Sequence, residues 1–137
     1  MKPYSRTFSI LIHHVDAAGI VFFANYLILA HDVYEAFLAD IGHGIPKAIA
    51  DGDYIIPIAH CEGTYHRPMR HGEAITAYLH LTELRSASFT IETGLVGADG
   101  ILRATITTRH VCVNFATMKP MALSAALHAA LAEYLKA

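Results

Sequence analysis

Over residues 4–14 Thr, Phe and Ile alternate roughly with polar positions, the period of a half-buried strand. The period then changes. Leu27, Ala30, Tyr34, Phe37, Leu38 and Ile41 recur at helical spacing and predict a long helix over 23–41, which Gly42-His43-Gly44-Ile45-Pro46 brings to a stop. Residues 19–30 carry no charge, so this helix is expected to be apolar on nearly every side and wrapped by the rest of its domain. Beyond a turn at Asp51-Gly52-Asp53, strand-like runs follow at 55–66, 74–84, 89–96 and 101–115. Pro57 makes the start of the first an edge or a bulge. Arg67-Pro68-Met69-Arg70-His71-Gly72 reads as a turn, and Gly97-Ala98-Asp99-Gly100 is the clearest hairpin signal. These four runs are expected to form an antiparallel meander. Pro120 closes the last of them, and Leu127, Leu131, Tyr134 and Leu135 predict a short terminal helix within 124–135. A strand, one long helix and four consecutive strands make an α+β domain in which a curled antiparallel sheet of about five strands wraps a single apolar helix.

The chain has 137 residues, which fits one domain over 1–137 with a core of its own. Ten Lys plus Arg against twelve Asp plus Glu leave a formal net charge of -2 with no basic stripe, which argues against nucleic acid as a partner. The segment Met1-Lys2-Pro3-Tyr4-Ser5-Arg6-Thr7 has no apolar signal core, and no run is long enough to span a bilayer. Cys61 and Cys112 lie in apolar stretches without metal or redox spacing and read as buried free thiols. A soluble cytoplasmic chain with no membrane partner is the expectation. Hydrophobic residues make up 54% of the chain, above the ~45–50% usual for a soluble domain, and such a surplus points to burial between subunits.

Asp16, in Val15-Asp16-Ala17-Ala18-Gly19-Ile20-Val21-Phe22-Phe23-Ala24-Asn25-Tyr26, is a lone charge at the mouth of the apolar helix. A carboxylate beside buried surface is costly unless something uses it. The first N–H groups of a helix lack internal acceptors and carry partial positive charge, so they can hold an oxyanion. Between Gly19 and Ala24 no Ser, Thr, Asp or Asn is present to cap them, which leaves donors for a ligand carbonyl if the helix starts near Phe22. Asn25 is the other candidate cap, and a lone Asp before a helix is otherwise a solvated loop residue.

The run from Asp16 to Tyr26 resembles the signature of the hotdog-fold acyl-CoA thioesterases of the 4-hydroxybenzoyl-CoA thioesterase type. That signature is an Asp, two small residues, Gly-Ile/Val-Val, two aromatics or His, one small residue, then Asn-Tyr. Three further segments look like the branch that hydrolyses 1,4-dihydroxy-2-naphthoyl-CoA: His31-Asp32-Val33-Tyr34-Glu35-Ala36, Gly52-Asp53-Tyr54-Ile55-Ile56-Pro57-Ile58-Ala59-His60 and Arg109-His110-Val111-Cys112-Val113. One departure stands out. Many family members carry a second Asp two positions before the first, and that position here is His14. On a strand the two side chains share a face, so His14 is expected to pair with or reorient the carboxylate.

The resemblance implies a thioester hydrolase without a cofactor. In it Asp16 attacks the thioester carbonyl or activates a water, the Phe23 N–H polarises the carbonyl oxygen, and Gly19 lets the backbone pass close to the substrate. Tyr26, His14 and His60 are carried over as substrate contacts, with His60 reaching a ring hydroxyl. CoA phosphates require basic residues along their route, and Arg67, Arg70, Arg85 and Lys119 sit in predicted turns or strand ends. Arg85 comes first, because its turn precedes the strand that by resemblance borders the CoA channel. His60, His66 and His71 match no zinc spacing, so no metal is expected. Neither a Gly-x-Ser-x-Gly elbow nor a P-loop nor a dinucleotide fingerprint is present. Two other readings stay open: a hotdog hydratase or dehydratase using His14 with Asp16, and a non-catalytic acyl-thioester binding module. Hotdog domains pair edge to edge with each active site between subunits, which implies a homodimer assembling into a homotetramer.

Overall fold

In the computed structural model, which describes residues 4–137, β1 (Tyr4–Ser9) leads through a 3-10 turn (Ile12–His14) and a tight loop into α1 (Phe23–Asp40). Met1, Lys2 and Pro3 of the N-terminal segment lie outside the described residues. A short α2 (Ile45–Asp51) and β2 (Tyr54–Ile55) follow, then β3 (Ile58–Tyr65), β4 (Ala74–Leu84), β5 (Ser88–Gly97), β6 (Leu102–Val111), β7 (Val113–Asn114) and α3 (Ala125–Ala132). One antiparallel sheet has the order β1-β4-β5-β6-β3, and β2 pairs with β7 beside it. Period-two burial puts Ile75, Ala77, Leu79 and Leu81 of β4 and Phe89, Ile91 and Leu95 of β5 on one face. There they meet Leu29, Val33, Phe37 and Leu38 of α1, which recur at helical spacing.

Four expectations are corrected. β3 pairs with β6 and not with β4, because β1 and β5 occupy both edges of β4 and leave only the outer edge of β6. The meander is therefore β4-β5-β6 alone. Pro46, read as a stop, stands in the first turn of α2, where its missing N–H costs nothing. The sheet covers one side of α1 only: Phe23, Leu27 and Ile28 are exposed, so the helix is not wrapped within one chain. Cys112 is buried, but Cys61 lies on β3, whose eight residues are all exposed, and so is an accessible thiol here. Pro57 does precede an edge strand, with a bulge between Ile58 and His60.

The crossing from β3 to β4 at 66–73 is pinned by Arg103, a buried cation that sequence periodicity did not single out. Its carbonyl accepts the N–H groups of His66 and Arg67 at 2.8 and 3.0 Å. Its guanidinium binds Glu73 and, at 3.1 Å, Asp99. That cation holds the Asp99 carboxyl below its usual range. Glu73 in turn accepts the Arg70 N–H at 3.0 Å, so both ends of the segment are fixed to β6. A Cβ on Gly97 would strike this guanidinium, which explains the glycine there. Replacing one partner of such a cluster leaves charge without compensation. Arg103→Met is expected to cost about 3 kcal/mol in urea unfolding, and a loss under about 0.5 kcal/mol, the scale of an exposed pair, would show the cluster to be solvent-screened.

Candidate active site

The loop between the 3-10 turn and α1 folds back on itself. Asp16 N–H donates to the Ile20 carbonyl and Gly19 N–H to the Asp16 carbonyl, both at 3.0 Å, with Val15 bridging Val21. Gly19 has φ +78°, a left-handed conformation that closes the turn, and a Cβ there would meet only open space. Within the chain it is this φ, and not a crowded approach, that calls for glycine. The Asp16 carboxylate accepts the Ala18 N–H at 2.9 Å and is otherwise exposed to solvent in the single chain. No wall of buried apolar surface from its own chain stands against it.

α1 begins at Phe23 with Phe22 as an extended N-cap and no capping side chain. The Phe22 N–H donates to the His14 carbonyl at 3.1 Å, but the N–H groups of Phe23 and Ala24 have no acceptor among the described residues. Asn25 is not the cap: its Nδ2 donates to the His14 carbonyl at 2.8 Å and fastens the loop to the helix. The helix start therefore offers free donors and uncompensated positive dipole, as an oxyanion requires.

Phe23 at this helix start also lines a groove of about 300 Å³, together with Ile20, Val21, Tyr26, Tyr65, His66, Arg67 and Pro68; Asp16, Gly19 and Ala24 are not among its walls. Tyr26 is buried, accepts the Met69 N–H at 3.3 Å and meets Tyr65 edge to face at 4.7 Å. Tyr65 carries no signal in the sequence beyond its place in a strand; its hydroxyl donates to the Phe23 carbonyl at 3.1 Å and so ties β3 to the first turn of α1. Arg67 stands on the rim, and Arg70 is bridged to Ile20.

The remaining candidates lie elsewhere. His14 sits on a 3-10 turn and not on a strand, and its Nδ1 accepts the Leu11 N–H at 2.9 Å while its ring packs on His13 at 4.1 Å. It makes no hydrogen bond or ion pair with Asp16, so the expected pairing is not formed; burial also pushes its pKa down. His60 is exposed on β3, 3.9 Å from Glu62, and does not line the groove. Arg85 pairs with Glu83 at 3.1 Å in the β4–β5 turn, and Lys119 lies exposed beyond β7. Arg85 follows the far end of β4, roughly 34 Å along that strand from Ala74 near the groove. Among the described residues, no three His, Cys, Asp or Glu side chains gather as a metal-holding group, and no helix is long and apolar enough to cross a membrane.

His110 is the one strongly perturbed histidine. It is 1% exposed, stacked between Tyr34 at 4.2 Å and Phe89 at 4.9 Å, with Nε2 2.8 Å from Thr108 Oγ1 and Nδ1 without a partner. Burial, helped by His31, lowers its pKa to about 4. The native state thus holds it neutral while the unfolded chain protonates near 6.5. Its contribution is complete above pH 6.5 and is lost as pH falls toward 4, amounting to about 3 kcal/mol. His110→Phe should flatten the fall in Tm between pH 7 and 4.5, whereas an unchanged slope would assign the acid sensitivity elsewhere.

The profile of the thioesterase-like superfamily matches residues 10–131. A 1,4-dihydroxy-2-naphthoyl-CoA hydrolase of Rippkaea orientalis is 36% identical over 129 residues, covering 93% of this chain and 92% of the relative. The structure of a 1,4-dihydroxy-2-naphthoyl-CoA thioesterase from Synechocystis superposes with a TM-score of 0.91 at 22% identity, over 96% of this chain and 97% of that one. A Staphylococcus aureus protein solved in complex with CoA gives a TM-score of 0.91 at 20% identity, over 97% and 84%.

Proposed function

This chain belongs to the thioesterase-like superfamily, and from that premise we propose that it hydrolyses an aromatic acyl-CoA thioester to the free acid and CoA, with 1,4-dihydroxy-2-naphthoyl-CoA as the substrate its relatives suggest. The observation that carries the reading is the uncapped start of α1, whose Phe23 and Ala24 N–H groups have no acceptor among the described residues, beside a groove that Phe23 and Arg67 both line. The thioester carbonyl oxygen accepts from Phe23 N–H, and that donor is worth most when charge develops on the oxygen. Asp16 either adds to the carbonyl carbon or takes a proton from the water that does. The C–S bond breaks, the sulfur leaves as CoA thiolate, and water supplies the second carboxyl oxygen. Arg67 and Arg70 lie on the CoA side of the groove. Hydration has lost the feature that favoured it, since His14 is engaged with Leu11.

The working unit is a dimer. The outer edge of β3 has no partner strand, all eight of its residues are exposed, and Phe23, Leu27, Ile58 and Tyr65 expose apolar surface beside it. A two-fold axis through that edge pairs β3 with itself antiparallel and joins two five-stranded sheets into one. The pairing brings the partner's Ile58 end, and with it the end that carries the β4–β5 turn, beside the groove. Arg85 and Lys119 then reach CoA from the second copy, and Asp16 gains the cover it lacks in one chain.

The test is direct. Purified protein is mixed with benzoyl-, 4-hydroxybenzoyl-, 1,4-dihydroxy-2-naphthoyl-, acetyl- and palmitoyl-CoA in the presence of a thiol reagent. Thiol release with kcat/KM at least about tenfold higher for the aromatic thioesters is expected. Absence of release from every member of the panel would overturn the hydrolase reading.

A further inference from the structure

Tyr65, the last residue of β3, is 45% exposed, yet its hydroxyl turns back onto its own chain and donates to the Phe23 carbonyl at 3.1 Å. The ring stands edge to face on Tyr26 at 4.7 Å and 90°. Tyr26 is buried and is itself held, since its hydroxyl accepts the Met69 N–H at 3.3 Å. Two residues earlier, on the same face of the strand, Gly63 leaves room for the phenol. A Cβ at Gly63 would meet the Tyr65 hydroxyl at 3.4 Å and Ile106 at 3.0 Å. The Tyr65 side chain is thus seated from two sides, with its O–H aimed at the first turn of α1.

The carbonyl it binds belongs to the residue whose N–H is the oxyanion donor. Fixing that oxygen limits the rotation of Phe23, and with it the direction of its N–H beside the groove that Phe23 and Tyr65 both line. The same contact acts electronically. Phe23 C=O and Ala24 N–H are the two ends of one planar peptide group. A hydrogen bond received at an amide oxygen polarises the group and strengthens the N–H at its other end, by about 10–30% per bond. Ala24 is not a wall of the groove, so its N–H contributes to the positive end of the helix and not as a direct contact. Asn25 N–H adds less, because the Phe22 carbonyl already accepts it at 2.8 Å. We propose that Tyr65 is a positioning residue for the oxyanion donor: through the Phe23 carbonyl its hydroxyl aims the Phe23 N–H and raises the positive potential at the start of α1. The proposal rests on the hydrolase reading above. Its effect is largest in the transition state, when the thioester oxygen gains charge.

Tyr65→Phe keeps the ring against Tyr26 and removes only the O–H. Loss of a whole oxyanion donor costs about 100-fold or more; misaiming and weakening one should cost less, and kcat for an aromatic acyl-CoA is expected to fall about fivefold. KM should stay within about twofold, because the lost interaction belongs to the transition state. Melting should stay within about 2 °C of wild type. A tie that is only structural predicts the reverse, a lower Tm with kcat unchanged. The second readout needs no turnover. A ketone analogue of the aromatic acyl-CoA, labelled with carbon-13 at its carbonyl, is bound to both proteins, and its carbonyl stretch should lie at higher frequency in Tyr65→Phe, where its oxygen receives a weaker hydrogen bond. If the variant melts lower than expected, the stretch recorded well below its Tm decides. A kcat within about 1.5-fold of wild type, or equal stretches in the two complexes, would overturn the proposal and leave the hydrolase reading standing. A wild-type protein that releases no thiol from any acyl-CoA of the panel would instead overturn that reading, and the proposal with it.

Discussion

Asp16→Asn is expected to lower kcat for an aromatic acyl-CoA by at least about 10³-fold while leaving KM within about twofold, since the proposed general base or nucleophile is lost and the binding surface is not. The substitution suits the question because it is nearly isosteric. In the native loop an Asp16 carboxylate oxygen accepts the Ala18 N–H at 2.9 Å, and an amide oxygen can accept the same bond. The turn, held also by the Gly19 N–H and Ile20 carbonyl contacts to the Asp16 backbone, is therefore retained. What disappears is the charge and the ability to take a proton or attack carbon. Thermal melting should shift by less than about 2 °C, on the scale expected of an exposed site. Turnover close to wild type would take Asp16 out of the reaction altogether.

On the proposed β3 pairing, Leu27→Glu is expected to abolish dimerisation and, with it, at least about 100-fold of kcat/KM, because that pairing covers the Asp16 loop with the second copy. Leu27 is exposed in the single chain and sits one turn from Phe23, which lines the groove. It thus faces the strip that a second copy covers in the proposed pairing. A glutamate there puts a charge into an apolar contact without disturbing the core of its own chain. Cys61→Glu, midway along the exposed β3, should have the same effect. Sedimentation at micromolar concentration checks both variants. A protein that stays dimeric with both charges in place, or a monomer with full activity, would refute β3 pairing as the basis of the site.

Much of this site is legible in the sequence because its parts are local. The uncharged run before Asn25 foretells an uncapped helix start, and the structure begins α1 at Phe23 with no side-chain cap. Residues 74–115 show their alternation openly, and β4, β5 and β6 fall close to the expected ranges. The misreadings come from pairings between residues distant in sequence. Nothing in the alternation of β3 says which strand it joins, and only the saturation of β4 by β1 and β5 sends it to β6. Pro46 carries the same local signal whether it ends one helix or begins another. Strand periodicity places His14 beside Asp16, and a single 3-10 turn is enough to direct its ring to Leu11 instead. Arg103 and Tyr65 lie in ordinary strand patterns; the contacts they make come from what packs against them, which periodicity does not encode.

The account turns on a thioester carbonyl seated at the first N–H groups of α1 with Asp16 beside it. A structure of the dimer with a non-hydrolysable ketone analogue of an aromatic acyl-CoA measures this most directly. The carbonyl oxygen should lie about 2.7–3.1 Å from the Phe23 nitrogen, with the Asp16 carboxylate of the same chain facing the carbonyl carbon. An analogue bound with its carbonyl away from the start of α1, or with Asp16 still turned to bulk solvent, would contradict the mechanism.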